Sequence, residues 1–164
     1  GHENLICFSG NRRGLSEEEG LEQAVKALRP MVKLAEEYGV VLQMELFNSI
    51  VDHPDYMADS SRWGIELARA LNSPSFKLLY DIYHMQIMEG NLVANIKENH
   101  QWYGHYHVAG VPGRNEPWEA QEINYPAVMT AIESTGFNGY VALEYLFTTN
   151  KKESMARSFT EFIR

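Results

Sequence analysis

The chain has 164 residues, of which 45% are apolar and 22% are charged, and its 22 acidic against 14 basic residues give a formal net charge of −8. This length suits one domain with a substantial core, and no apolar run approaches the roughly 20 residues that a membrane-spanning helix requires. The acidic balance disfavours contact with a phosphate backbone. We therefore expect a small substrate, and neither a nucleic-acid nor a membrane partner.

The chain has a single cysteine, Cys7, which excludes an intrachain disulfide. A lone thiol suits a reducing compartment, so we expect a cytoplasmic protein. The position of Cys7 within an apolar run predicts a small core residue rather than a reactive one.

Apolar runs bounded by turn residues predict five strands, at residues 5–8, 40–46, 76–82, 103–109 and 139–145. Helical patterns lie between and after them, at residues 16–39, 60–71, 92–99 and 126–134, and from 151 to the end of the chain. Ser16 followed by three glutamates is typical of a helix start with a capping box, and Gly39 is a helix end. Pro30 lies inside this first helix and predicts a kink or a restart.

The alternation of strands and helices predicts βα units around a parallel sheet, which is an α/β fold. In such folds the reactive groups gather where the strands end, at the carboxyl edge of the sheet.

Four of the predicted strands carry a potential metal ligand near this edge: Glu45, Asp81, His107 and Glu144. Because strand side chains alternate between two faces, and one face of a closed barrel points to its axis, the four side chains can converge. Three carboxylates and one imidazole suit Mn²⁺, Mg²⁺ or Co²⁺ better than a metal that prefers thiolates, and Zn²⁺ also accepts such a set.

The sequence around these residues resembles the xylose isomerase-like TIM barrels. The resemblance rests on residues 44–48 (MELFN), 80–86 (YDIYHMQ), 104–117 (GHYHVAGVPGRNEP) and 142–145 (ALEY). The VPGRNEP run and the later EINY at 122–125 are most similar to the hydroxypyruvate isomerases. The motifs correspond to strands four to eight of a (β/α)8 barrel, which requires roughly 250 residues. We therefore expect residues 1–164 to form a single domain that is the C-terminal portion of a TIM barrel, with the first three βα units missing.

The resemblance implies a divalent-metal-dependent isomerase that interconverts hydroxypyruvate and 2-hydroxy-3-oxopropanoate through an enediolate. Glu45, Asp81, His107 and Glu144 would hold one ion, with Mn²⁺ or Mg²⁺ expected and Co²⁺ or Zn²⁺ as alternatives. Glu45 and Glu144 would also act as base and acid, in an order that the sequence does not define.

Three further residues are expected to bind the substrate. The family places a histidine at the position of His84, where it forms a hydrogen bond with a substrate oxygen, the alternative being a surface loop histidine. Arg114 follows a Pro-Gly turn and suits a substrate carboxylate, the alternative being an ion pair with Glu116 or Glu119. Glu116 is expected to orient either a metal ligand or Arg114.

Other functions remain open on the sequence. His107 stands where hydroxypyruvate isomerases commonly have glutamine and sugar epimerases have histidine, so a ketose 3-epimerase is the main alternative. An inactive, self-associating fragment is another, since an open five-stranded sheet leaves bare edges. We expect either a homo-oligomer or an N-terminal segment to complete the barrel. The related apurinic endonucleases are disfavoured by the acidic charge.

Overall fold

The computed structural model describes residues 2–118 and 120–162, and within these ranges it contains a single parallel sheet. The strands are β1 (Asn4–Cys7), β2 (Val41–Glu45), β3 (Phe76–Asp81), β4 (Tyr103–Val108) and β5 (Val141–Leu143). The helices are α1 (Glu17–Tyr38), α2 (Ser61–Leu71), α3 (Ile82–Met88), α4 (Leu92–Asn99), α5 (Tyr125–Ser134) and α6 (Lys151–Phe162), with a short 3₁₀ turn at His100–Trp102.

The five strands pair in sequence order, β1-β2-β3-β4-β5, and every pairing is parallel. Helices connect successive strands, and the sheet curls as it does in a (β/α)8 barrel. The predicted fold class is confirmed: the chain is α/β and forms part of a TIM barrel.

The period-two pattern of the strands sorts their side chains between two faces. Leu42 and Met44 of β2 face the helices and belong to the hydrophobic core, which also includes Leu78 of β3. The alternate residues, Gln43 and Glu45, are buried on the concave face instead. The core therefore lies between the sheet and its helices, and the polar residues of the strands are collected on the inner side.

Helix α1 begins with the predicted capping box, in which Ser16 accepts from the Glu19 backbone and the Glu19 carboxylate accepts from the Ser16 backbone. The predicted restart at Pro30 is wrong, because α1 continues through it to Tyr38. Pro30 lies on the exposed side of α1, so the carbonyl that loses its partner is open to water.

The remaining element predictions differ mainly at boundaries. The last strand is shorter than predicted, and α3 was missed because it follows β3 directly, with Asp81 both ending the strand and capping the helix. The predicted final helix is present as α6 up to residue 162, and its expected continuation to 164 lies outside the described residues.

Strand β1 lies at one edge of the sheet and is largely exposed. Leu5 and Ile6 are 51% and 48% exposed. Cys7, predicted to be a core residue, is half-buried and packs against the core from this edge. Burial raises the pKa of its thiol to about 12, so the group is protonated and unreactive at neutral pH.

Across the described part of the chain, none of the helices combines the length and the apolar character needed to cross a bilayer.

Candidate metal centre

The structure brings the four strand-end residues together at the carboxyl edge of the sheet. Each of Glu45, Asp81, His107 and Glu144 offers a ligand atom, and these atoms all lie within 4.8 Å of one another. The first three side chains are buried, whereas the side chain of Glu144 is 48% exposed. We refer to these four residues as the strand-end cluster.

The parallel pairing explains this convergence. Asp81 pairs directly with His107, and His107 pairs with Ala142, two residues before Glu144. Glu45 ends β2 opposite Leu79, which shares a face with Asp81. The carboxyl ends of four parallel strands therefore bring inward-facing polar side chains to one point.

His107 stands at the centre of the cluster. Its Nδ1 lies 3.2 Å from Glu45 Oε1, 3.0 Å from Glu144 Oε2 and 3.9 Å from Asp81 Oδ2. Burial alone would lower the pKa of His107, but the hydrogen bonds and charges of Glu144 and Glu45 outweigh it and raise the pKa to about 9. Without an ion the imidazole is therefore protonated at neutral pH and bridges the carboxylates.

The two carboxylate oxygens of Asp81 have different roles, one in capping a helix and one in the strand-end cluster. Oδ1 accepts from the backbone N–H groups of Tyr83 and His84 and so caps α3. Oδ2 faces the cluster. Burial raises the pKa of the Asp81 carboxyl to about 7, against the opposing effect of Arg114 and His107. The fold thus holds a carboxylate in a place where it requires a cation.

Arg114 supplies part of that positive charge. Its Nη2 lies 3.2 Å from Asp81 Oδ2 and also forms an ion pair with Glu144 Oε2. The alternative partner Glu116 is therefore wrong, and Glu119 lies outside the described residues. No sequence pattern indicates these partners, because the loop that carries Arg114 reaches the cluster only in the folded chain.

His84 is fully buried beside the cluster, which excludes a surface loop histidine. Its Nδ1 faces the backbone N–H of Asn48 at 3.1 Å and the Asn48 side-chain nitrogen at 2.7 Å. Its Nε2 points toward Asp81 Oδ2 at 3.6 Å and has no hydrogen-bond partner among the described residues. Burial lowers the pKa of His84 to about 3, so the ring is neutral.

Asn48 determines which nitrogen of His84 carries the proton. Its side-chain oxygen accepts from the backbone N–H groups of Val51 and Asp52, so its side-chain nitrogen must be the atom that faces His84. Two donors on Nδ1 leave the proton on Nε2, where it is a buried donor aimed at the cluster. The sequence places Asn48 in the MELFN motif but does not predict its effect on His84, because that effect depends on a contact between residues 36 positions apart.

Glu116 has a different environment from the one predicted. Its carboxylate accepts from the backbone and hydroxyl of Thr148 and from the hydroxyl of Ser154. Burial would raise the pKa of Glu116, but these hydrogen bonds lower it to about 2. Within the described residues its carboxylate bonds to residues 148–154 and not to Arg114 or the strand-end cluster. The structure therefore supports a structural role for Glu116, anchoring residues 148–154, in place of the predicted orienting role.

The donor set of the strand-end cluster fits a divalent ion. Its carboxylate oxygens and its imidazole are the ligands that Mn²⁺, Mg²⁺ and Zn²⁺ accept in proteins, and the three carboxylates exceed the positive charge that His107 alone provides.

A parallel α/β partial barrel with such a cluster at the carboxyl ends of its strands defines the class of TIM-barrel proteins whose reactive groups lie at that edge. More specifically, the chain belongs to the family of xylose isomerase-like TIM barrels, whose family model matches residues 1–164.

Known relatives agree with this assignment. The chain is 32% identical over 146 residues to the hydroxypyruvate isomerase of Escherichia coli K12, which is 88% of this chain and 56% of that protein. It is 32% identical over 107 residues to a 2-oxo-tetronate isomerase of Cupriavidus necator, which is 65% of this chain and 40% of that protein. The chain spans about half the length of the curated relatives it matches, or less.

The structure is also similar to a solved protein of Brucella melitensis described as an AP endonuclease, family 2. The TM-score is 0.89 at 27% sequence identity, over 97% of this chain and 61% of that one. The similarity therefore extends over nearly all of this chain and part of its relative.

Proposed function

We propose that the protein is a divalent-metal-dependent isomerase that interconverts hydroxypyruvate and 2-hydroxy-3-oxopropanoate. The observation that carries the proposal is the convergence of Glu45, Asp81, His107 and Glu144 at the carboxyl edge of the sheet. The names of the relatives support an isomerase that acts on a small hydroxy-carbonyl acid. A divalent ion held by these four residues, Mn²⁺ or Mg²⁺ by the hardness of the set, would polarise the substrate carbonyl.

Glu45 and Glu144 are the proposed acid and base. The reaction removes a proton from the hydroxymethyl carbon of hydroxypyruvate and returns one to the neighbouring carbon, while the hydroxyl proton passes from the first carbon's oxygen to the second's, so no atom is gained or lost. Both carboxylates lie within 3.2 Å of His107 Nδ1 and therefore close to each other. The hydrogen bond with His107 and the charge of Arg114 lower the pKa of Glu144, which keeps it ionised and able to accept a proton.

His84 and Arg114 are the proposed substrate-binding residues. The buried N–H at Nε2 of His84 would donate to a substrate oxygen, which would give that donor the partner it lacks. The Arg114 guanidinium lies at the same edge and has the planar, always-charged form that suits a carboxylate. Each side chain thus has one chemical task toward the substrate.

We further propose that residues 1–164 are one domain, the C-terminal portion of the barrel, whose five strands correspond to the fourth to the eighth. An N-terminal segment or a second copy of the chain would complete the barrel. The exposed apolar side chains of β1 support this, because a neighbouring strand would cover them. A cytoplasmic location and the absence of a nucleic-acid partner remain our expectations from composition and charge.

Turnover in the presence and absence of metal tests the proposed function. Proton NMR in D₂O follows both the conversion of hydroxypyruvate and the exchange of its carbon-bound protons, with metal-stripped protein and with added Mg²⁺. Activity that appears only with the ion, and is lost in Glu144→Gln but kept in the exposed control Glu133→Gln, supports the proposal. Equal activity in metal-stripped protein contradicts it.

A ketose 3-epimerase is the second candidate, and His107 is the observation that favours it, since an imidazole stands where hydroxypyruvate isomerases commonly have glutamine. The same protein is assayed with free ketohexoses. A higher kcat/KM for a ketohexose than for hydroxypyruvate would replace the first proposal by the second. Absence of both activities together with no ion binding in calorimetry would leave the self-associating fragment.

A further inference from the structure

The same two oxygens of the strand-end cluster face two different cations. Asp81 Oδ2 and Glu144 Oε2 lie 3.9 and 3.0 Å from His107 Nδ1, and they are also the atoms that Arg114 Nη2 contacts. The guanidinium is therefore placed among the atoms that make up the candidate ligand set. A divalent ion that took these oxygens as ligands would compete with Arg114 for them.

The charges of the cluster require this second cation in the ion-free protein. Three carboxylates lie within a few ångströms of one another, and two of them, Glu45 and Asp81, are buried. Like charges at such separations repel strongly where water is excluded. Arg114, which contacts Asp81 and Glu144, supplies positive charge at two of these carboxylates.

Arg114 also contacts an aromatic ring while it pairs with the carboxylates. Its guanidinium lies over the ring of Tyr83, with 5.4 Å between the guanidinium carbon and the ring centroid. The Tyr83 hydroxyl donates to Asp52, which adds a further negative charge on this side. The guanidinium can therefore release the carboxylates and remain at the edge of the site.

Backbone hydrogen bonds hold the loop that carries Arg114 in place. Arg114 has a positive φ of 57° directly after Gly113 at 90°, and its carbonyl accepts from the Leu146 backbone at 2.7 Å. The Gly110 backbone N–H also donates to the Asn115 carbonyl. Movement of the guanidinium thus involves the side chain and not the loop.

We propose that Arg114 is an internal counter-cation of the strand-end cluster: a divalent ion displaces it from Asp81 and Glu144, and the released guanidinium then binds the carboxylate of the substrate. This inference rests on the proposed function, because it assigns the cluster to a metal ion. It adds that the ion-free protein binds small carboxylates poorly, since its arginine is already paired. By linkage, ion binding and carboxylate binding favour each other.

Mn²⁺ affinity in variants of Arg114 tests the competition. Electron paramagnetic resonance titrations compare the wild type with Arg114→Gln, which removes the charge, and Arg114→Lys, which keeps it. Arg62→Gln is the matched control, because Arg62 is an exposed arginine that pairs with Glu66 on a helix away from the cluster. We expect Arg114→Gln to bind Mn²⁺ about tenfold more tightly or better, and the other two to stay within about threefold of the wild type. Equal or weaker binding by Arg114→Gln overturns the inference.

A measurement on the wild type covers the case in which a variant does not fold. In ¹⁵N-labelled protein, the side-chain Nε–H signal of Arg114 should shift and saturate as Mg²⁺ is added. Arginine signals that stay unchanged while Mg²⁺ binds would overturn the displacement.

The carboxylate step is tested with two probes that differ in charge. In ion-loaded wild type we expect D-glycerate to bind about tenfold more tightly than dihydroxyacetone, and Arg114→Gln to lose this difference. A difference that persists in Arg114→Gln contradicts the proposed role. If the wild type binds no divalent ion, the proposed function itself fails. If it binds the ion but Arg114→Gln binds no more tightly, only this inference fails.

Discussion

The protein contains two buried acidic sites that solve the same electrostatic problem in opposite ways. Around Glu116, one carboxylate receives hydrogen bonds from Thr148 and Ser154. In the strand-end cluster, three carboxylates share one imidazole and one guanidinium. The Glu116 carboxylate has enough hydrogen-bond donors for its one negative charge. The strand-end cluster has more carboxylates than neighbouring cationic side chains. This difference distinguishes a carboxylate with a structural role from carboxylates that are available to bind a ligand.

The pKa values follow this difference. Hydrogen bonds hold the pKa of Glu116 at about 2, whereas burial raises the pKa of Asp81 to about 7. A carboxylate that accepts several hydrogen bonds loses its proton at low pH, whereas burial makes a carboxylate hold its proton to a higher pH. The predictions below test this division, from the largest expected effect to the smallest.

Removing a charge from the strand-end cluster should abolish the proposed reaction, whereas removing it from Glu116 should not. We expect Glu45→Gln and Glu144→Gln each to lower kcat by about 10²–10⁴-fold, because each removes a proposed acid or base. We expect Glu116→Gln to change kcat less than about threefold at a temperature where it is folded. Steady-state kinetics at saturating Mg²⁺ measure both. A similar loss of kcat in all three variants would contradict the distinction between Glu116 and the strand-end cluster.

Ion affinity should rise with pH. In the ion-free protein His107, with a pKa of about 9, holds a proton at neutral pH, and Asp81, with a pKa of about 7, takes one up as the pH falls below 7. A metal ion needs the neutral imidazole and the ionised carboxylate, so protons leave as it binds, and affinity increases by up to about tenfold per pH unit for each proton released. Calorimetry with Mg²⁺ between pH 6 and 8.5, in buffers of different ionisation enthalpy, counts these protons. Affinity that is flat or falls over this range contradicts the assigned protonation.

Glu116 should contribute to stability only where it is ionised. Its pKa is lowered on folding from an ordinary value of 4.5 to about 2, so its contribution is present above pH 4.5 and is lost as the pH falls toward 2. We expect Glu116→Gln to reduce the free energy of unfolding by about 1–3 kcal/mol at pH 7 and by less near pH 3. Urea unfolding at the two pH values gives this comparison. A loss that is independent of pH would assign the effect to packing.

The smallest expected effect is that of one donor to Glu116. Ser154 is buried and its hydroxyl donates to Glu116 at 3.1 Å. We expect Ser154→Ala to lower the free energy of unfolding by about 1 kcal/mol and to leave Mn²⁺ affinity unchanged. Thermal unfolding and a Mn²⁺ titration on the same preparation check both. A change in Mn²⁺ affinity would show that the two acidic sites are coupled.

Most of the fold was predictable because it follows from periodicity. Apolar strands and amphipathic helices alternate along the chain, and five strands with a parallel, sequential order are what this alternation favours. Helix α3 was not predictable, because Asp81 ends β3 and caps α3 without an intervening turn. The continuity of α1 through Pro30 was missed because propensity does not show which side of a helix faces water.

The convergence of the strand-end cluster was predictable, since the carboxyl ends of parallel strands lie at one edge. Its other contacts were not. The partners of Arg114 depend on a loop with a left-handed residue, and the effect of Asn48 on His84 depends on a loop meeting helix α3. Glu116 lies in the same motif as Arg114, yet its carboxylate bonds to residues 148–154. Sequence patterns locate charged residues on elements, but they do not define which loops touch.

Glu144 stands directly after β5, a strand of three residues that is paired on one side only in the described sheet. Any ligand shared by Glu144 and Glu45 would link β5 to β2, two strands that are not neighbours in the sheet. Local unfolding of β5 would then depend on whether the ligand is bound. Amide hydrogen exchange at residues 141–144 would slow on binding before exchange in the central strands changes.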